Sequence, residues 1–482
     1  MKYYKSIFII CLLILLVFMA TASANDTENA TVSNNDIKTL KQVNESPIKN
    51  NDSGTFTALQ KIINDATSGS TINLDKDYTY DDGFSTRGIE IDKDLTINGN
   101  GHTIDALSKS RIILVKFKLI NNNKVTLNNI KFKNGYTNLY GGAIFNYANL
   151  TVTNCDFINN YAKNCGGAVN SVGYLNCVNS KFNNNSANGD GGAVFTLSFK
   201  GSKEAFYEYY KNNTVDGSMD FILGLLNATI SYGKDSVNNC VFTNNVAKGR
   251  GGGAIYALAS IDIKSSTFTS NKAGEHGGAV FGSKNLYITG SAFTNNQVPQ
   301  YGGAVYFKCH DQSGYYKNNK WVSEIIYYES LIQTSTFTKN TAKKGGAIYG
   351  FKTSSSDKHE FKVVKSTFSD NKAQTGRDIF GGTATNCIFN YLKLTLKTVK
   401  VKKSAKKIVL TSKLTKGKTL IKGKKITFKF NGKIYKAKTN AKGIAKVTIK
   451  KNVLKKLKVG KKITYQAKYN KLVVKKTTKV KK

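Results

Sequence analysis

The stretches LTVTNCDFINNYAKNCGGAV (residues 150–169) and LNCVNSKFNNNSANGDGGAV (residues 175–194) decide the fold, because they align position for position at an interval of 25 residues. Each carries alternating aliphatic residues, then a Phe (Phe157, Phe182), then an Asn three places on (Asn160, Asn185). Each ends on Gly-Gly-Ala-Val (Gly166–Gly167, Gly191–Gly192). The same frame recurs with Phe242, Phe268, Phe293 and Phe337. It recurs with Asn245, Asn271, Asn296 and Asn340, and with Gly252, Gly277–Gly278, Gly302–Gly303 and Gly345. Phe132 and Gly141 open the series, and Phe368 and Phe389 continue it with weaker glycine signals. A fixed period of this length marks a stacked repeat in which each unit buries its face only against its neighbours.

The period of two supplies the rest. Residues seven and five before Phe are mostly aliphatic, as in Leu150 and Val152, Ile261 and Ile263, Leu286 and Ile288. With Phe they point inward along extended chain. The position two before Phe holds Ile130, Cys155, Ser180, Cys240, Ser266, Ser291, Ser335, Ser366 and Cys387, so that column is narrow. The Asn column can form an amide ladder at the bend, where Gly-Gly lets the backbone turn. A propeller blade needs roughly 40–50 residues; three short strands with tight bends fit 25. The expected fold is all-β: a right-handed parallel β-helix, pectate-lyase-like, of some eleven coils and roughly 50 Å at about 4.8 Å per coil.

Paired Phe-x-x-Asn and Gly-Gly-Ala-Ile/Val motifs across residues 125–390 resemble the polymorphic outer-membrane-protein repeat, and also the repeat of adhesin-like surface proteins of methanogenic archaea. FTALQKIINDA (56–66), read as an amphipathic helix, with residues 71–74 and LTINGNGHTID (95–105), resembles the segments that cap and open the β-helix in such proteins. The resemblance implies a non-catalytic surface adhesin that binds glycans, cells or the envelope.

Three intervals break the period. Phe182 to Phe242 is 60 residues, Phe293 to Phe337 is 44 and Phe337 to Phe368 is 31. In each case Gly-Gly-Ala and the following strand are intact, so insertions near 196–234, 307–329 and 350–360 fall at one junction of the coil and project from one edge. Their aromatics are the candidate ligand-binding residues: Tyr207, Tyr209 and Tyr210 in the first, and Tyr315, Tyr316, Trp321, Tyr327 and Tyr328 in the second. Rings with apolar faces and polar edges suit glycan or protein contacts. They equally suit packing of the insertion onto its own coils, and melting of alanine variants separates the two.

The ends differ from the middle. Lys2 and Lys5, the apolar run Ile7–Ala20 and the small residues Ala22–Ala24 read as a signal peptide over residues 1–24. No later stretch is apolar enough to span a membrane. Residues 25–53 read as a polar spacer with N-x-Ser/Thr triplets at Asn25, Asn29, Asn44 and Asn51. Residues 54–124 read as the N-terminal cap and first coils, and 125–391 as the repeat. From Tyr391 to Lys482 there are 33 Lys, no Arg and no acidic residue; the net +42 less these 33 leaves +9 for residues 1–390. There Lys alternates with apolar residues and Asn431-Gly432 signals a hairpin, so 392–482 reads as an Ig-like β-sandwich resembling the modules that close many surface adhesins. Its field points to anionic envelope polymers; export and the lack of a recognition motif argue against nucleic acid.

An exported β-helix can also be a polysaccharide lyase or hydrolase, which needs clustered carboxylates. The column before Gly-Gly-Ala reads Tyr140, Cys165, Asp190, Gly251, His276, Tyr301 and Lys344, with no paired acids on adjacent coils. Asp190, Glu275, His276, Asp370 and Arg377 read as isolated, and His310–Asp311 as a solvated loop pair. No catalytic, metal or cofactor residue is assigned. Cys155, Cys177, Cys240 and Cys387 read as small buried hydrophobes, while Cys165 and Cys309 stay open.

Overall fold

The computed structural model describes residues 54–116, 123–200, 231–232, 234–308, 310–317, 320–351 and 361–482. Residues 1–53, which hold the expected signal peptide and spacer, lie outside them.

The repeat builds a parallel β-helix. One sheet of 12 strands carries the Phe column, one of 11 the aliphatic pairs, and one of 10 the residues after Gly-Gly-Ala. We call these the phenylalanine, aliphatic and glycine sheets. Every pairing between successive coils is parallel and in register: Phe157 lies against Phe132 and Phe182, Leu150 against Val125 and Leu175, and Val169 against Ile144 and Val194. Phe rings stack along the axis, with centroids 4.6 Å apart for Phe157–Phe182 and 4.7 Å for Phe268–Phe293. From Phe132 to Phe368 each buries fully, which contributes on the order of 2–3 kcal/mol, while Phe389 at the end of the stack is exposed. At the N-terminal end, helix α1 (Phe56–Asp65) lays Phe56, Leu59 and Ile63 onto the first coils, and Thr55 Oγ1 accepts from the Ala58 N–H at 3.0 Å.

The coil has four sides where three were expected. Two-residue strands such as Tyr161–Ala162 and Ser186–Ala187 form a fourth sheet of five strands between the phenylalanine and glycine sheets. The reason is that the Asn ladder and the Gly-Gly pair serve separate corners. Asn159, with φ 57°, turns the chain into the ladder position Asn160. Gly166, with φ 69°, turns the next corner, and a Cβ on Gly167 would lie 2.1 Å from the Gly192 carbonyl oxygen. The first glycine supplies a left-handed backbone and the second the close approach of coils.

The ladder is continuous. Asn160 Nδ2 donates to Asn185 Oδ1 at 2.9 Å, and the chain of amides runs through Asn245, Asn271, Asn296 and Asn340 to Asn371. It ends on a carboxylate, where Asn371 Nδ2 donates to Asp378 Oδ1 at 2.9 Å. Each Nδ2 also donates to a Phe carbonyl of the coil before, so these fully buried amides leave no polar atom orphaned. A second ladder runs down the small column: the Ser266 N–H donates to Ser291 Oγ and the Ser291 N–H to Ser335 Oγ, each at 3.1 Å. The small size of these residues implies a narrow part of the coil; Ser recurs there because its hydroxyl also accepts the backbone N–H of the preceding coil.

Residues 392–481 form two further sheets around one core. Strands Leu392–Leu396, Lys407–Lys416 and Ile444–Lys450 belong to a four-stranded sheet. Strands Lys425–Phe430, Lys433–Lys438, Lys462–Tyr469 and Leu472–Lys481 belong to a five-stranded one. Asn431 and Gly432, with φ 44° and 80°, make the turn between Lys425–Phe430 and Lys433–Lys438. Leu410, Phe428, Phe430 and Tyr465 are buried between the sheets, while the lysines alternate outward.

Candidate functional site

One corner of the coil, from the glycine sheet to the aliphatic sheet, takes all three insertions that break the repeat. The chain crosses it in two residues between Ile144–Asn146 and Asn149–Thr153. It uses residues 197–233 between Val194–Thr196 and Lys234–Asn238, and 309–329 between Val305–Lys308 and Ser330–Gln333. Residues 352–361 separate Ile348–Phe351 from Lys362–Val364. A fourth long crossing, 116–123, lies between Ile113–Val115 and Lys124–Asn128; without a Gly-Gly-Ala motif before it, the repeat arithmetic passed over it.

The second long connection contains an antiparallel hairpin, His310–Lys317 against Lys320–Tyr327, and the first begins and ends on Phe199–Lys200 paired with Ser231–Tyr232. In the hairpin Tyr316 pairs with Trp321, Tyr315 with Val322, and His310 with Tyr327. Tyr327 is 40% exposed. The ring of Tyr328 lies under Lys284, with Nζ 4.4 Å from the centroid, and its hydroxyl bonds the same ammonium. Tyr207, Tyr209 and Tyr210 lie outside the described residues.

Beside this corner runs a feature the sequence reading did not single out. The residue after Gly-Gly-Ala-Ile/Val faces outward and is aromatic in most coils. Phe195, Tyr256, Phe281, Tyr306, Tyr349 and Phe380 stack in order, with centroids 4.2–5.5 Å apart. Phe281, Tyr306 and Tyr349 form a cluster separate from the main core. The signal is present in the sequence as a fifth position of the motif, aromatic at Phe145, Phe195, Tyr256, Phe281, Tyr306 and Tyr349.

The column before Gly-Gly-Ala flanks this ladder. The His276 ring lies 4.6 Å from Tyr306 and 5.2 Å from Tyr301. Its Nε2 is 3.6 Å from Glu275 Oε2, and its buried Nδ1 has no hydrogen-bond partner. Burial lowers its pKa, which keeps the ring neutral and suited to stacking. Asp190 Oδ1 accepts from the Gly251 N–H at 2.9 Å, and burial raises its carboxyl pKa despite the nearby Arg250. Glu275 is close enough to raise it further. Asp190, Glu275 and His276 are therefore not isolated, as the sequence suggested. Coil stacking brings them and Arg250 onto one stripe, since equivalent positions of successive coils become neighbours, across an insertion between Asp190 and Arg250. Asp370 accepts from Ser369 Oγ at 3.1 Å, and Arg377 covers the Tyr391 ring at 4.6 Å.

A second acid was missed outright. Asp235 stands seven before Phe242, where other coils carry Leu150, Leu175, Ile261 and Leu286. It is fully buried and accepts from the Leu175 N–H at 2.9 Å and from the hydroxyls of Thr196 and Ser198. Burial pushes its pKa up to about 6. It ties the two ends of the longest connection together at their base. The break in the aliphatic pattern was the legible signal.

This edge offers stacked rings, an ammonium over a tyrosine and single acids held by backbone. It offers surfaces for binding, with no acid pair facing across adjacent coils among the described residues. No group of three or more His, Cys, Asp or Glu among them could hold a metal ion, and Cys155, Cys165, Cys177, Cys240 and Cys387 are free thiols. No helix among them is long and apolar enough to cross a membrane.

Residues 51–165 match the sequence family described as "Putative pectate lyase-like adhesive domain". Residues 179–197, 239–258, 265–283 and 334–350 match the Chlamydia polymorphic membrane protein repeat. The chain is thus similar to a pectate lyase-like adhesive domain at its start and to a polymorphic membrane protein repeat along its middle. Neither a curated protein nor a solved structure gives a significant match.

Proposed function

We propose that this chain is an exported, non-catalytic adhesin displayed at the cell surface. Its β-helix presents the edge with the long connections to an extracellular glycan or surface protein, and its lysine-rich C-terminal region, an Ig-like module in this reading, holds it on anionic polymers of the envelope. The observation that carries the reading is the gathering of all three insertions at one corner, beside an outward aromatic ladder. The adhesive description of the matched N-terminal domain supports it. The contacts assigned to the ligand are Tyr207, Tyr209, Tyr210, Tyr315, Tyr316, Trp321, Tyr327 and Tyr328.

The test is adhesion of the full chain to a glycan array and to whole cells, with Tyr316→Ala/Trp321→Ala as the variant. Loss of adhesion at an unchanged melting temperature supports the reading. Intact adhesion, or a large drop in melting temperature, removes these rings from the ligand site and makes them packing residues.

A further inference from the structure

The two outward faces of the lysine-rich region are not equivalent. In the five-stranded sheet three Lys pairs face each other directly across strands: Lys425 with Lys438, Lys462 with Lys479 and Lys402 with Lys481. The four-stranded sheet has one, Lys407 with Lys450. Like charges directly opposite destabilise a sheet. No acidic residue exists between Tyr391 and Lys482 to compensate them, and no lysine there takes part in an ion pair with any described residue. A face that concentrates uncompensated charge against its own stability is complementary to a negative charge from outside.

The pattern between the lysines narrows the partner. Outward rows read Lys436, Thr427, Lys468, Val473 and Ile434, Lys429, Gln466, Lys475. Ammonium groups on alternate strands stand about 10 Å apart, with Thr427 or Gln466 between them to hydrogen-bond uncharged hydroxyls. The outward positions carry no aromatic ring on which a base could stack. They carry no Arg for bidentate phosphate recognition. We propose that the outer face of the five-stranded sheet docks a linear acidic polysaccharide bearing carboxylates, along the rows Lys436–Lys468 and Lys429–Lys475. This rests on the reading that the region retains the protein on an anionic polymer, and it names the face and the polymer class.

Two variants of the full chain remove equal charge from opposite faces. One is Lys429→Gln/Lys436→Gln/Lys468→Gln/Lys475→Gln, and the other is Lys393→Gln/Lys407→Gln/Lys413→Gln/Lys446→Gln. Binding is measured on immobilised polygalacturonate, with inorganic polyphosphate and anionic phospholipid vesicles as the other arms. The first variant weakens polygalacturonate binding about tenfold or more; the second weakens it far less, and both melt no lower than the parent. Equal losses from the two variants overturn the assignment of the face and leave electrostatic retention standing. Binding to polyphosphate or vesicles without binding to polygalacturonate overturns the polymer class. No binding of the parent to any of the three overturns the retention reading as well.

Discussion

The β-helix and the lysine-rich region are both built from alternating strands, yet they dispose of polar groups in opposite ways. The β-helix turns them inward and satisfies them with copies of themselves. Asn271 accepts from Asn245 and donates to Asn296, and Ser266 donates to Ser291. The lysine-rich region turns every charge outward and satisfies none of them internally. The first arrangement makes register the thing that is specified, since a coil that slips loses every rung at once. The second leaves stability to an apolar core, and leaves the charge to whatever the protein meets.

The largest effects should therefore come from the interior of the β-helix. Phe268→Ala opens a cavity between Phe242 and Phe293 and should cost about 3–5 kcal/mol by denaturant unfolding. Asn271→Ala strips the acceptor from the N–H and Nδ2 of Asn245, and the donor from the Phe242 carbonyl. With buried groups left unpaired, about 2–3 kcal/mol or more should be lost. An outward Lys429→Ala in the C-terminal region should stay within about 0.5 kcal/mol. If Asn271→Ala is as mild as Lys429→Ala, the ladder does not hold the coils and the contrast collapses.

Asp235 sharpens the comparison, because it is an interior carboxylate of the β-helix held by hydrogen bonds and by no ion pair among the described residues. Its folded pKa of about 6 lies above the ordinary carboxylate value of 3.8. The fold thus holds this proton more tightly than the unfolded chain does. The stabilising contribution is complete below about pH 4 and is lost as pH rises through 6. The thiol of Cys177 beside it is pushed well above its usual range by burial and stays protonated throughout. Asp235→Asn cannot ionise, so between pH 4 and pH 6 the parent should lose melting temperature relative to the variant. Parallel pH curves for the two proteins would show that the Thr196 and Ser198 hydroxyls compensate the charge fully.

How much of this was legible follows from the same contrast. The coil could be read because Phe157, Asn160 and Gly166 recur at a fixed interval, and stacking converts an interval into contact. The fourth side could not, since Tyr161–Ala162 is two residues long and has no period of its own. Which corner carries the connections followed from the intact Gly-Gly-Ala before each break. The outward ladder of Tyr256, Phe281 and Tyr306 was in plain view but reads as part of the motif. The stripe joining Asp190, Glu275 and His276 needed three dimensions: Asp190 and Glu275 are 85 residues apart in sequence and lie on coils of one stack. In the lysine-rich region the alternation showed which residues face out. Only the strand register showed that lysine faces lysine.

That register allows the smallest and most discriminating change. Lys438 lies directly opposite Lys425, and both are exposed. Lys438→Glu turns a repulsive pair into an attractive one and should stabilise the protein by about 0.2–1 kcal/mol. Surface charges are screened beyond about 8–10 Å at physiological ionic strength. The gain should therefore shrink when the melting temperature is measured in 1 M salt. The same substitution at Lys429, whose cross-strand neighbours are Ile434 and Gln466, removes no facing pair and should give a smaller gain. Equal gains at both sites would mean that the region feels its total charge and not its pattern. In that case the facing lysines carry no information about a partner, and the asymmetry between the two faces loses its meaning.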